Sequence, residues 1–472
     1  MNTNQTPNID EPISIPRSLS LGAQHVLAMD LYIVPIILAS LLSLTVADTS
    51  SLIQMTFVVA GLATIFQSRF MLKLPVMQGP SYIPIGAIAA IGKTMGMGAV
   101  YGALIPVALF VALLGKPLNL FSKVVKKFVP PIVGGTVIIV VGISLLPIAF
   151  NGIYSSENAS QNIVIALVSI VSLCSFILLG CMCHKLHWLR LTSVLGAIVL
   201  GTIAASFYGM TDFSSVAQAA WVQLPSLLPF GELVFDPVAI LTMLFISVIV
   251  LVETTGTWCA ISAVTGVKLE DERLNRGATG EAAGHFICSL LGGSPVTGYS
   301  TNAGIIAVTG VASRRAIIAG GFILLLLGLM PKLTSIIASI PHAVISGIFT
   351  VICVVIAMNG FRVIQHIQLS ERNMLVVGLP IMLSLGAVLM PRELVYGLPE
   401  LVGYLVNSGI AIGALAAVVL NFILPMDKET QNVSQANDNT TLNDTELNNA
   451  TSNSVETGQQ NVQPSQEKAM QS

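Results

Sequence analysis

Between about residue 19 and residue 425 the chain alternates long apolar runs with short polar breaks. Each run is able to cross a hydrocarbon core of about 30 Å as a helix of roughly 20 residues. Fourteen such runs centre on 26–46, 50–68, 74–91, 97–115, 129–149, 162–182, 188–208, 236–258, 282–297, 301–311, 315–335, 340–359, 374–391 and 408–425. The pattern predicts an all-α polytopic membrane protein. Residues 1–18 form a polar N-terminal segment with Asp10 and Glu11 in place of a basic leader, so the first run reads as a retained helix. From 427 to 472 the chain switches to Asn, Gln, Ser, Thr and acids, which predicts a disordered tail with too little apolar surface to offset the entropy of ordering.

Composition agrees: 54% of residues are hydrophobic and 9% charged, with a mean hydropathy of +0.83. The net charge of −2 offers no basic field for nucleic acid. Charge placement sets orientation, because short cytoplasmic loops collect Lys and Arg. With the N-terminus inside, the inner loops hold Arg69, Lys73, Lys116, Lys123, Lys126, Lys127, Lys185, Arg190, Lys268, Arg273, Arg276, Arg314, Arg315, Arg362 and Arg372. The outer loops hold only Lys93, Lys332 and Arg392, so both termini are expected in the cytoplasm. The six cysteines lie in or beside apolar stretches without metal-ligand spacing and read as core thiols.

The third and tenth runs are interrupted, by Gly79-Pro80-Ser81-Tyr82-Ile83-Pro84 and by Gly298-Tyr299-Ser300-Thr301-Asn302-Ala303-Gly304. Fourteen runs divided as seven plus seven make these two equivalent, and an odd half implies inversion. A matched pair of broken segments is the sequence sign of a binding site in inverted-repeat transporters, where helix ends meet near the midplane. Close helix packing is the structural alternative for these glycines. Intramembrane ionisable groups come next, since a charge at bilayer depth costs at least about 2.5 kcal/mol. Glu253 is the deepest, near the end of the apolar run that precedes Gly256, where a carboxylate can accept two ring N–H donors and suits a proton-coupled site. A carboxyl bonded to a neighbouring helix is its structural alternative. Glu281 opens the ninth run, as a helix-capping acid or a functional one. Asp30 reads as a proton site or an acid facing a watery crevice, and His25, after Gln24, as a packing histidine that braces neighbouring helices. No hydrolase, dinucleotide or P-loop motif is present, and no filter-like repeat of a channel.

These residues resemble the nucleobase/ascorbate transporters, also called xanthine/uracil permeases, over about residues 19–425. In the stretch Thr301 to Gly310, Asn302, Gly304, Thr309 and Gly310 match the family signature and Thr301 departs from it. Gln24-His25, the QGPSY stretch at Gln78–Tyr82 and Glu253-Thr254-Thr255-Gly256 add to the likeness. The resemblance implies a fourteen-span inverted repeat in which segments 3 and 10 contain short extended strands. It also implies a core domain (about 19–115 and 236–335) and a gate domain (about 129–208 and 340–425).

Carried onto this chain, the resemblance places Glu253 on the ring N–H groups of a base, Ser300 and Thr301 beside it, and Ser81 and Tyr82 on the opposite wall. Asn302, Glu281, His25 and Gln24 would organise the polar network. Two departures alter recognition: Thr301 stands where relatives carry a longer Gln or Glu, and Thr257 where they often carry Asp or His. Proton linkage then falls to Glu253 with Glu281 or Asp30. The expectation is a purine importer for xanthine or uric acid in the inner membrane, with no cofactor, the proton as coupling ion and sodium as its alternative. A homodimer is expected from the resemblance alone. A uracil-type permease, a sulfate-type anion transporter and a non-transporting receptor are the rival readings.

Overall fold

The computed structural model describes residues 8–425 apart from 155–157, 184–188, 191, 366, 396, 398–401, 404–405 and 407. The tail expectation for 427–472 therefore lies outside the described residues. The chain is mostly helical. In the first half run α1 (Ile15–Leu27), α2 (Ile33–Leu42), α3 (Val46–Arg69), β1 (Gln78–Pro80), α4 (Ile85–Met95), α5 (Met97–Gly115), α6 (Phe121–Phe128), α7 (Pro131–Tyr154), α8 (Ala159–Met182), α9 (Ser193–Phe207) and α10 (Ser214–Gln218). In the second run α11 (Pro237–Thr265), α12 (Asp271–Leu291), β2 (Val296–Gly298), α13 (Thr301–Thr309), α14 (Arg314–Gly328), α15 (Pro331–Ala338), α16 (His342–Ile364), α17 (Glu371–Leu389) and α18 (Gly409–Ile423). Among the described residues seven helices are long and apolar enough to cross a bilayer, or eight if the α14–α15 pair, bent by 80°, is one span.

Local chemistry sets the ends. Asp236 caps α11 by accepting the Ala239 N–H at 2.9 Å, with Pro237 at the first helical position, where its missing N–H costs nothing. Thr45 caps α3 in the same way through Asp48. Helix packing falls into two groups: α3 and α1 against α14, and α5 against α12, on one side; α7 against α16, α17 and α18, and α8 against α9, on the other. Small residues allow these approaches. A Cβ on Gly22 would lie 2.6 Å from the Gly320 nitrogen, and one on Gly360 would lie 2.6 Å from the Gly135 oxygen.

Four expectations are corrected. The first run is two helices: α1 starts at Ile15, within a stretch too polar for a hydropathy signal, and the chain unwinds at Ala28–Tyr32 around Asp30. α2 then restarts with Pro35 in its first turn, where proline is tolerated. Glu281 does not open its helix. α12 begins at Asp271, so Glu281 sits mid-helix and buried, because Gly277, Ala278, Gly280, Ala282 and Gly284 let a polar-looking stretch pack among its neighbours. Glu253 lies in the middle of α11, which continues to Thr265. Of the cysteines, only Cys288 and Cys353 are buried, whereas Cys181, Cys183 and Cys259 are exposed and Cys174 is half-buried.

Candidate functional site

The site is built on a two-stranded antiparallel ladder in which Gln78 pairs with Gly298, Gly79 with Thr297 and Pro80 with Val296. The Ser81 N–H donates to the Pro295 carbonyl at 2.8 Å and the Tyr299 N–H to the Met77 carbonyl at 3.0 Å, extending the ladder at both ends. Each strand runs within a few residues into a helix, α4 after β1 and α13 after β2. Antiparallel pairing therefore leaves the two helix N-termini at opposite ends of one short ladder. Both carry unsatisfied N–H groups and positive dipole ends.

α11 grips this ladder by its polar side. The Thr254 hydroxyl accepts the Gly298 N–H at 3.1 Å, and the Thr257 hydroxyl donates to the Gly298 carbonyl at 3.1 Å. Two threonines three residues apart on one helix face thus satisfy both backbone groups of one strand residue. A Cβ at position 298 would stand 3.1 Å from the Thr254 hydroxyl, so glycine is what permits the approach.

Behind the ladder, Glu281 collects donors from three elements. Its Oε1 accepts Thr254 Oγ1 at 2.7 Å, Gln78 Nε2 at 2.9 Å and Gln67 Nε2 at 3.3 Å. Gln67 also donates to the Gly277 carbonyl at 2.9 Å. Glu281 is therefore a buried hub that fixes α3, β1, α11 and α12 together.

Glu253 is placed differently. It is half-buried, its Oε2 accepts the Ser81 hydroxyl at 2.9 Å, and its Oε1 has no hydrogen bond among the described residues. Asp30, in the break between α1 and α2, accepts the Tyr82 hydroxyl at 2.5 Å, and the Tyr299 hydroxyl faces the same carboxyl group. The Tyr82 ring stacks on Phe349 of α16, with centroids 5.7 Å apart and planes 15° apart. The Ser300 hydroxyl faces Asn359 of α16 at 3.5 Å, and the Thr301 hydroxyl is buried without a partner. His25, on α1, faces Asn302 on α13, both buried.

The structure thus brings Ser81 to Glu253, Tyr82 to Asp30 and His25 to Asn302. It places Glu281 with Gln78 and Thr254 rather than with Glu253, and Thr257 on a backbone carbonyl. The Gln24 side chain is half-buried and makes no hydrogen bond to the others. Sequence reasoning passes over Gln67, Asn359 and Phe349. Gln67 carried a usable signal, a long polar side chain inside an apolar run. Phe349 carried none, since one aromatic in a spanning helix looks like any other.

The family profile described as "Permease family", of xanthine/uracil permease type, matches residues 16–393. The uric acid permease PucK of Bacillus subtilis is 32% identical over 415 residues, covering 85% of this chain and 94% of the relative. The xanthine permease of the same bacterium is 30% identical over 436 residues, covering 89% and 97%. The uric acid transporter UacT of Escherichia coli is 30% identical over 432 residues, covering 88% of each chain. Among solved structures, the transmembrane domain of a cyanobacterium bicarbonate transporter, BicA, has a TM-score of 0.61 at 15% identity, covering 88% of this chain and 99% of that one. The murine anion transporter Slc26a9 in its inward-facing state has a TM-score of 0.61 at 12% identity, covering 87% and 69%. The structural likeness carries the fold alone, whereas the match along the sequence carries the family: this chain belongs to the xanthine/uracil permease family and is a multi-pass membrane transport protein.

Proposed function

We propose that the protein imports a purine base, xanthine or uric acid, by proton symport through alternating access. The observation that carries this reading is the placement of Glu253. Ser81 at the end of β1 holds one carboxylate oxygen and leaves the other open beside the paired strands. A carboxylate so presented accepts N–H donors of a heterocycle, and the N-terminal amides of α13 at Ser300 and Thr301 offer donors to its carbonyl oxygens. The uric acid and xanthine permeases among the relatives support the purine class. An anionic cargo of the kind carried by the fold neighbours fits less well, because Glu253 would oppose it.

In this reading the chain has fourteen spans in a 7+7 inverted repeat, with both termini cytoplasmic and the inner membrane as its place. The broken segments are the third and tenth spans, each contributing one strand. α1–α5 with α11–α15 form the core domain, and α7–α9 with α16–α18 form the gate. The two packing groups support that division. One proton crossing 100 mV supplies about 2.3 kcal/mol, enough for roughly 50-fold accumulation of a neutral base.

The test is uptake of labelled xanthine, uric acid and uracil into cells lacking their own permeases, with and without a protonophore. Concentrative purine uptake that the protonophore collapses is expected. Glu253→Gln should reduce it at least 100-fold while membrane expression stays normal, since an amide presents a donor where a base N–H must be accepted. Uptake that follows external sodium and resists the protonophore would replace the proton as coupling ion, and wild-type uptake by Glu253→Gln would remove Glu253 from the site.

A further inference from the structure

α6, the helix joining α5 to α7, takes no part in the site, yet its two faces are built differently. The inner face is anchored. Phe121 and Val125 are buried, and the Phe121 ring meets Trp258 of α11 edge-on at 6.2 Å. Asn275 of α12 accepts the Ser122 N–H at 2.9 Å and donates to its hydroxyl at 3.2 Å. Two of the four nearby lysines are neutralised by the first turn of α12: Lys126 pairs with Asp271 at 2.5 Å and Lys116 with Glu272 at 3.6 Å. Glu272 also pairs with Arg276, and Glu270 interacts with Arg273, so the acids of this turn are engaged.

The outer face follows helical spacing, with Leu120, Lys123, Val124, Lys127 and Phe128 forming one stripe. All five are exposed. Lys123 and Lys127 have no carboxylate within 4.0 Å among the described residues. The Lys127 ammonium lies 5.4 Å from the Phe128 ring centroid, and the Phe128 ring is 6.4 Å from Phe422 near the end of α18, so the apolar part of the stripe continues onto a second helix. A face turned wholly to water would not expose Leu120, Val124 and Phe128 together. A face at hydrocarbon depth would not hold two uncompensated ammonium groups. Between those depths lies the headgroup layer, where apolar side chains enter the acyl region and lysines extend toward phosphate.

We propose that the outer face of α6 is a binding site for anionic phospholipid, with Lys123 and Lys127 on the headgroup phosphate and Leu120, Val124 and Phe128 against the acyl chains. The experiment uses the purified full chain in detergent, titrated with phosphatidylglycerol and with phosphatidylcholine and read by native mass spectrometry. Wild type should retain phosphatidylglycerol in preference to phosphatidylcholine. In K123Q/K127Q that preference should weaken by roughly 30-fold, two lysines being removed from an anionic headgroup, while phosphatidylcholine retention stays unchanged. K123R/K127R should keep it, and K93Q, at the end of α4, should leave it intact. Equal retention of the two lipids by wild type overturns the proposal, whether or not the Gln variant elutes as a single species. So does a K123Q/K127Q protein that keeps its preference, or a K93Q protein that loses as much.

Discussion

Thr254 carries two hydrogen bonds with one hydroxyl, donating to Glu281 and accepting from Gly298, whereas Thr257 carries one. The difference sets their relative weight. Thr254→Val leaves a buried N–H unpaired and removes the shortest of the donors to the Glu281 carboxyl, a loss of about 2–3 kcal/mol. Thr257→Val removes one neutral bond to a carbonyl that keeps its other lone pair, a loss of about 1 kcal/mol. Thermal unfolding in detergent should therefore rank wild type above Thr257→Val above Thr254→Val, with Thr254→Ser restoring most of the loss. A Thr257→Val protein less stable than Thr254→Val would show that the hub at Glu281 does not organise the ladder. The same geometry explains why the relatives' acid or histidine is dispensable at position 257: the side chain here holds a backbone carbonyl, which needs a donor and no titratable group.

One element outside the bilayer-length helices ties together the bases of the two broken segments. The Arg314 N–H donates to the Ile9 carbonyl at 2.9 Å, and the Ser313 hydroxyl donates to the Glu11 carbonyl at 3.0 Å. The Arg314 guanidinium bonds Asp10 and reaches the Ser68 carbonyl at 3.3 Å. Residues 9–13 thus strap the end of α3 to the start of α14. Arg314→Ala should speed amide exchange over residues 8–14 about 10-fold, by lowering the local opening free energy by roughly 1–2 kcal/mol, while α3 stays protected. Unchanged exchange would show that the strap is held by Ile9 and Ile13 packing instead. The strap is invisible to hydropathy, and that marks the limit of what the sequence tells. α5 is legible to the residue because it is apolar throughout and bounded by Gly96 and Lys116. α12 is not, because its burial rests on small residues fitting against neighbours that only the tertiary structure supplies. Ser81, Glu253, Tyr82, Asp30, His25 and Asn302 are legible as polar positions in apolar surroundings. Their pairings are not, since a strand register decides which of them meet.

At the scale of the whole molecule, alternating access requires the two packing groups to slide past each other, and α11 against α7 is one place where they touch. An added Cβ at Gly256 of α11 would lie 3.4 Å from Ile138 Cδ1 of α7 and within 4 Å of nothing else, so a cysteine fits there without strain. Neither residue contacts the carboxyl groups of the site. In a background with Cys181, Cys183 and Cys259 replaced by Ser, I138C/G256C treated with a short cleavable bifunctional thiol reagent should lose purine uptake to the empty-vector level. Reductant should restore it, and each single-cysteine protein should keep its uptake through the same treatment. The physical reason is that packed interfaces rearrange between discrete states rather than deform, so one covalent tie across the sliding surface holds the molecule in a single state. Full cross-linking with undiminished uptake would mean that α11 and α7 travel as one body, and the moving boundary would then have to lie elsewhere, with the α16 contacts to Tyr82 and Ser300 as the next place to tether.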